Sequence, residues 1–130
     1  MSANASHMPD PLTLERIRND SDGGPIFLLN LLKYREPAGR EAFARYAPIT
    51  GPLIAEAGGA LKFGGKAGPV LTGSDTDWDD VLILRFPSGA RFLEMIESEI
   101  YTGEAAPIRA EALAATLWMA MHPFPGFESE

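Results

Sequence analysis

An amide lies in the middle of the most apolar stretch of the sequence, PIFLLNLLKYR, which spans residues 25–35. Asn30 has two leucines on each side, and a buried amide must find hydrogen-bond partners. Apolar pockets orient their ligands with a few polar groups of this kind, so Asn30 is a candidate ligand-binding residue at the floor of a pocket. The alternative is that Asn30 ties down backbone groups at a helix break beside Pro48.

Two arginines extend the set of candidate ligand-binding residues. Arg85 follows the apolar run VLIL and should share one face of a strand with Val81 and Ile83. Arg109 falls within a short predicted helix. Either guanidinium could hold an anionic ligand through a bidentate fork. Alternatively, each arginine pairs with one of the 18 acidic residues of the chain, which would give it a structural role.

Two tyrosines are the candidate acid–base groups. Tyr46 lies near a predicted helix kink and Tyr101 near a predicted helix break, so both phenols could stand beside a cleft and move a proton. The alternative is that both are core or lid aromatics, because aromatic residues at helical spacing usually pack. Trp118 lies between Leu117 and Met119 and is interpreted as a core residue or a dimer contact.

The signals for metals and cofactors are poor. The segment DTDWDD resembles the start of a calcium loop, but Asp80 stands where that loop needs glycine and Phe86 where it needs glutamate. The two histidines, His7 and His122, supply no clustered ligand set. No phosphate loop or dinucleotide fingerprint is present. The sequence therefore predicts neither a metal nor a bound cofactor.

Charge and composition limit the class of partner. Eleven basic and 18 acidic residues give the 130-residue chain a net charge of -7, which disfavours nucleic acid and anionic membranes as partners. The chain has no cysteine, which fits a reducing cytoplasm. No signal peptide is evident, and no apolar run approaches the roughly 18 residues of a membrane span. We expect a cytoplasmic protein.

The order of predicted elements is β-α-β-β-α-β, preceded by a short helix over residues 12–20. Strands are predicted over 60–66 with a continuation through PVLTG, and over 26–33, 81–86 and 116–122. The long helical pattern over 40–59 should be kinked or interrupted at Pro48 and Pro52. Ser88 is the expected N-cap of the next helix, and Pro107 suits the first turn of the last.

This order predicts an α+β, ferredoxin-like fold: a four-stranded antiparallel sheet with helices on one face. The strands over 26–33 and 81–86 are apolar on both faces, whereas one layer of helices covers only one of them. A second copy of the sheet is the simplest cover for the other face. The sequence therefore predicts a homodimer.

Four blocks and two later residues form a recognisable pattern: GPIFLLNLLKYR, GREAFARY, GGALKFGGKAGPVL and WDDVLILRFPSGARFLEM, with Tyr101 and Arg109. The pattern resembles the domain-of-unknown-function 1330 family of the dimeric α+β barrel superfamily, over about residues 24–122. The resemblance implies a homodimer whose two sheets form a barrel, with a cleft between sheet and helices. It implies no settled activity. Proteins of this architecture include cofactor-free monooxygenases, muconolactone isomerases and haem-handling enzymes.

We therefore expect a leader over residues 1–23, a ferredoxin-like domain over 24–123 and a tail over 124–130. Two functional hypotheses remain. The first is a small-molecule-binding protein that acts as a cofactor-independent enzyme, monooxygenase-like or isomerase-like, in which Asn30 and Arg85 orient the substrate and a tyrosine transfers a proton. The second is a non-catalytic binding or sensing domain that uses the same cleft.

Overall fold

The protein folds into one antiparallel sheet flanked by short helices, and its computed structural model describes residues 9–19 and 24–127. The expected leader and tail therefore lie partly outside the described residues, as does His7. The elements, in chain order, are α1 (Pro11–Asn19), β1 (Ile26–Tyr34), α2 (Gly39–Phe43), α3 (Tyr46–Glu56), β2 (Ala60–Lys66), β3 (Asp80–Phe86), α4 (Gly89–Ile96), a π-helical segment (Tyr101–Ala105), α5 (Ala106–Ala112) and β4 (Leu113–Met121).

The sheet has the strand order β2-β3-β1-β4, and every pair of neighbouring strands is antiparallel. Central β1 pairs with β3 from Ile26 opposite Phe86 to Leu32 opposite Asp80, and with β4 along its other edge. The topology confirms the predicted β-α-β-β-α-β arrangement.

The two faces of the sheet differ in what covers them. Alternate residues of β1, from Ile26 through Leu28 and Asn30 to Leu32, are buried under the helices, as the period of two in a strand requires. The intervening residues lie on the opposite face, which we call the open face. There Phe63 is 53% exposed, Leu117 40% and Met119 46%. Within a single chain, the helices therefore cover only one of the two apolar faces of β1.

Helix α4 supplies much of the core. Its residues Phe92, Leu93, Met95 and Ile96 are buried, and they pack with Ile26, Leu28 and Phe86 of the sheet. The side chain of Ser88 accepts a hydrogen bond of 3.2 Å from the backbone N–H of Arg91, which confirms the predicted N-cap.

The predicted interruption of the long helix is present, but not where the prolines stand. The helix is interrupted by a turn at residues 44–45, between α2 and α3, although Ala44 and Arg45 keep right-handed helical dihedrals. Pro48 lies in the first turn of α3, where its missing N–H would have no intrahelical partner anyway, and Pro52 lies inside the helix. Gly58 ends this region with a φ of 79°, a conformation that other residues rarely adopt.

Two predicted strand boundaries are wrong. PVLTG does not continue the second strand; residues 67–79 form a loop, because Pro69 has no N–H to offer a neighbouring strand and glycines flank the segment. Strand β4 begins at Leu113, three residues before the predicted start, because pairing with Tyr34 buries Leu113 completely.

Helix α1 is a packed element. The predicted helix over residues 12–20 is found at Pro11–Asn19, with Leu14 and Ile17 packed against the core. Asp10 caps it by accepting a hydrogen bond of 2.9 Å from the Thr13 N–H, and this bond lowers the pKa of Asp10. Arg18 forms an ion pair of 2.7 Å with Glu97, just beyond α4. None of the helices within the described ranges is long and apolar enough to cross a bilayer.

Candidate functional site

A buried cation stands at the centre of the site. Arg109, on α5, is only 2% exposed. Within the described ranges no carboxylate forms an ion pair with it, although a buried charge ordinarily requires such a partner. The predicted ligand-binding arginine therefore lies in the core and is not paired with a surface acid.

Two neutral oxygen atoms hold the Arg109 guanidinium. Its Nη2 donates to Asn30 Oδ1 at 2.9 Å and to Thr116 Oγ1 at 3.0 Å. The Thr116 hydroxyl donates its own proton to the backbone oxygen of Leu31 at 2.8 Å, so it can only accept from Arg109. Strand pairing explains the arrangement, because Asn30 lies opposite Trp118 and Thr116 stands two residues earlier on the same face of β4.

An aromatic ring covers one side of the same guanidinium. Arg109 Cζ lies 4.1 Å from the centroid of the Trp118 ring, a cation–π contact, and Phe92 meets Trp118 edge to face at 5.9 Å. The Nη1 atom of Arg109 is buried and has no hydrogen-bond partner among the described residues. The guanidinium is thus fixed in place by one of its two terminal nitrogens, with the other available as a donor.

The candidate tyrosines meet each other. The hydroxyl groups of Tyr46, on α3, and Tyr101, in the π-helical segment, share a short hydrogen bond, and Phe43 stacks on Tyr46 with centroids 4.8 Å apart. Tyr101 is completely buried. Burial raises the pKa of Tyr101 well above its ordinary value, Tyr46 raises it further, and the positive charge of Arg109 opposes the shift. Tyr101 therefore stays protonated at neutral pH.

A cleft of about 1280 Å³ opens between the sheet, α4 and α1. Leu28, Phe92, Trp118 and Ala120 give it apolar walls, and Arg109 and Thr116 give it a polar floor. The side formed by α1 carries Asp10, Glu15 and Arg16. Neither Tyr46 nor Tyr101 is among the described residues that line it. This cleft combines apolar surface with a few convergent polar groups, as ligand sites do.

Arg85 does not belong to this site. It lies opposite Phe27 on β1 and Ala60 on β2, so its side chain projects from the open face, whereas Asn30 lies under the helices. Its Nε is buried without a partner among the described residues. The hypothesis that Asn30 and Arg85 together orient one substrate is therefore wrong, because the two side chains stand on opposite faces of the sheet.

The structure also revises the surroundings of Asn30. Its Oδ1 binds the side chain of Arg109 and not backbone groups beside Pro48. Thr116 was not predicted to belong to the site, and Trp118 was predicted to be a core or dimer contact. The spacing of Thr116 and Trp118, two apart on a strand, puts both on one face, but which face requires the pairing of β4 with β1.

No metal centre is evident in the part of the chain that the structure describes. Within it, no three His, Asp or Glu side chains come together in a way that could hold an ion. Two acidic residues of the segment that resembles a calcium loop instead bind Tyr34 of strand β1. Asp79 accepts a hydrogen bond from the Tyr34 backbone N–H at 2.9 Å, and Asp80 accepts one from the Tyr34 hydroxyl at 2.6 Å.

Sequence comparison places this architecture in a family. The family model described as "Domain of unknown function (DUF1330)" matches residues 31–122, which include Arg109, Thr116 and Trp118. The chain belongs to the DUF1330 family. No curated protein matches it significantly. A crystal structure of a protein of unknown function from Rhodopseudomonas palustris is 30% identical, covers 92% of this chain and 98% of its own, and has a TM-score of 0.81.

More distant structures share the fold alone. A protein of unknown function from Bacteroides fragilis, described as dimeric and ferredoxin-like, is 13% identical with a TM-score of 0.52, covering 75% of this chain and 95% of its own. A hydroxynitrile lyase from Passiflora edulis is 16% identical with a TM-score of 0.57, covering 82% and 99%. These matches confirm the ferredoxin-like α+β fold predicted for this DUF1330 member, and a shared fold does not transfer an activity.

Proposed function

We propose that this DUF1330 protein binds a small organic molecule in the cleft between the sheet, α4 and α1. The observation that carries the proposal is the Arg109 guanidinium, held by Asn30 and Thr116 against Trp118 at the floor of an apolar cleft. Burying a charge without a counter-ion costs stability, and a hydrophobic replacement would avoid that cost. A binding role explains why such a group stands there.

Binding of uncharged aromatic compounds tests the cleft itself. We expect ligand-observed NMR to detect members of a library of such compounds with dissociation constants of about 1 mM, a value ordinary for molecules of this size. Ala120→Leu should weaken binding because it fills the apolar wall. Ala114→Leu, an exposed change on the same strand, is the matched control. The proposal fails if no compound binds, or if those that bind are indifferent to Ala120→Leu.

A cofactor-independent enzyme is the second candidate function. The observation in its favour is the Tyr46–Tyr101 pair beside Arg109, because a buried phenol that keeps its proton at neutral pH can donate a hydrogen bond to a reacting oxygen. The position of both tyrosines outside the lining of the cleft favours binding over catalysis. A test is deuterium exchange at the α-carbon of acetophenone in D₂O. Catalysed exchange that disappears in Tyr101→Phe would support the enzyme, and exchange at the buffer rate would exclude this reaction.

We also propose that the protein is a homodimer joined through the open face of the sheet. The exposed apolar residues there, Phe63, Leu117 and Met119, form part of a face that is also apolar along most of β1 and along β3 up to Arg85. Exposing such an apolar face to water is unfavourable for an isolated chain, and a second copy would cover it. The relative from Bacteroides fragilis is described as dimeric. Light scattering should give twice the 14.0 kDa chain mass at micromolar concentration.

A further inference from the structure

We infer that the ligand of the cleft is a small monocarboxylic acid with an apolar body, and that its carboxylate binds Arg109. The inference rests on the proposed binding function and goes beyond it by naming the chemical class of the ligand.

The charges of the chain point to an anion. Four other arginines among the described residues each pair with a carboxylate: Arg18 with Glu97 at 2.7 Å, Arg40 with Asp80 at 3.1 Å, Arg45 with Glu111 at 3.2 Å and Arg91 with Glu94 at 3.6 Å. Arg109 is far more buried than these and has only the neutral oxygens of Asn30 and Thr116. Neutral acceptors do not balance a desolvated positive charge, whereas a bound carboxylate would.

The hydrogen bonds of Arg109 leave one specific donor for that carboxylate. The two acceptors Asn30 and Thr116 both bind Nη2, and a terminal guanidinium nitrogen has two hydrogens to donate. Nη1 has no acceptor among the described residues, and Trp118 restrains the plane of the group from one side. The guanidinium is therefore oriented before a ligand arrives, which lowers the entropic cost of binding.

The walls of the cleft define the rest of the ligand. Leu28, Phe92 and Trp118 offer apolar and aromatic surface next to Arg109, which suits an aromatic or branched aliphatic body. The α1 side carries two acids, Asp10 and Glu15, against one base, Arg16. This excess of negative charge, on a chain of net charge -7, disfavours a dianion or phosphate and leaves a single carboxylate as the best match.

Benzoate and benzamide test the inference, because they have nearly the same shape and differ in charge. The measurement uses a Trp78→Phe background, in which Trp118 is the only tryptophan. Trp78 lies in the loop over the open face, away from the cleft. We expect sodium benzoate at pH 7 and constant ionic strength to change Trp118 fluorescence saturably. Benzamide should bind at least about tenfold more weakly, because it cannot supply the charge-assisted hydrogen bond.

The Arg109→Met variant should lose the preference for benzoate. Arg91→Met, the same change at an exposed position on α4, should leave it intact. If Arg109→Met does not fold, the benzoate-to-benzamide ratio of the otherwise unchanged chain still decides the question. Equal affinities for the two compounds would overturn the carboxylate assignment while leaving the proposed binding function in place. Absence of binding by both, together with a failed screen of uncharged compounds, would overturn the binding function itself.

Discussion

Asn30 and Arg109 lie 79 residues apart in the sequence, and in the fold the amide oxygen of Asn30 accepts a hydrogen bond of 2.9 Å from Arg109 Nη2. Both side chains are buried. The amide thus satisfies a buried positive charge from the centre of the sheet, while Thr116 satisfies it from the neighbouring strand. These hydrogen bonds determine which substitutions the fold tolerates at each of the three residues.

Asn30→Leu should destabilise the protein. A hydrated amide at the floor of a pocket would tolerate this change, but the Asn30 oxygen is an acceptor for a buried cation. Removing that acceptor should lower the free energy of unfolding by about 1–3 kcal/mol, the penalty for an unsatisfied buried group. Denaturant melts measure the change, and the slope of the unfolding free energy against denaturant concentration should stay constant. Leu82→Val, a conservative change at the residue opposite Asn30 on β3, is the control for packing.

An unchanged midpoint for Asn30→Leu would show that Arg109 finds other acceptors easily.

The isosteric Asn30→Asp separates charge from shape, because it places a carboxylate beside the guanidinium. We expect Asn30→Asp to weaken benzoate binding at least about tenfold, since the positive charge is then already compensated. Benzoate binding at the unaltered affinity would contradict the role given to Arg109.

The sequence predicted the fold better than it predicted the site. Apolar periodicity and turn residues fix the order of elements, because each strand or helix must bury its own apolar face. The pairing of Asn30 with Arg109 depends on the register of β4 against β1, and a shift of one residue would turn Thr116 and Trp118 to the other face. No local pattern encodes that register. In the same way, the register of β3 against β1 places Arg85 opposite Phe27, and therefore on the other face of the sheet from Asn30.

Raising the pH should destabilise the protein partly through Tyr101. Its pKa is raised in the folded state, so the stabilising effect is complete below the ordinary tyrosine pKa of about 10 and is lost as the pH rises toward the folded value. Tyr34, whose pKa is also raised by burial and by its bond to Asp80, contributes in the same direction. Tyr101→Phe should flatten the decline above pH 10 by at most about 1.4 kcal/mol per pH unit, the value for one proton. Identical pH profiles of unfolding would contradict this assignment.

Leu117→Lys should dissociate the proposed homodimer. Leu117 lies on the open face opposite Leu31, and it is 40% exposed in one chain. If a second copy covers it, the lysine charge must be buried or the chains must separate, and separation is less costly. Sedimentation equilibrium should show at least about tenfold weaker association. Ala90→Lys, at an exposed position on α4, should leave the association unchanged. A starting protein that is already monomeric would contradict the proposed homodimer.

Removing residues 1–19 should leave a folded protein, consistent with the proposed domain over residues 24–123. Helix α1 contributes the half-buried Leu14 and Ile17, and its ion pair from Arg18 is exposed. The loss should be about 2–3 kcal/mol, from the apolar burial and not from the ion pair. A cooperative denaturant transition with a lower midpoint is the expected result, and absence of any transition would show that α1 is needed for folding.

Gly89→Ala then tests how closely α1 docks on α4. A Cβ added at Gly89 would lie 3.2 Å from both the Ile17 side chain and its backbone oxygen, tighter than most real contacts. In the chain without residues 1–19 that crowding is absent, so alanine should stabilise by up to about 1 kcal/mol through its higher helix propensity. In the full chain the same change should be neutral or destabilising. The difference between the two effects measures the contact as a double-mutant cycle does, and equal effects would show that α1 does not press on Gly89.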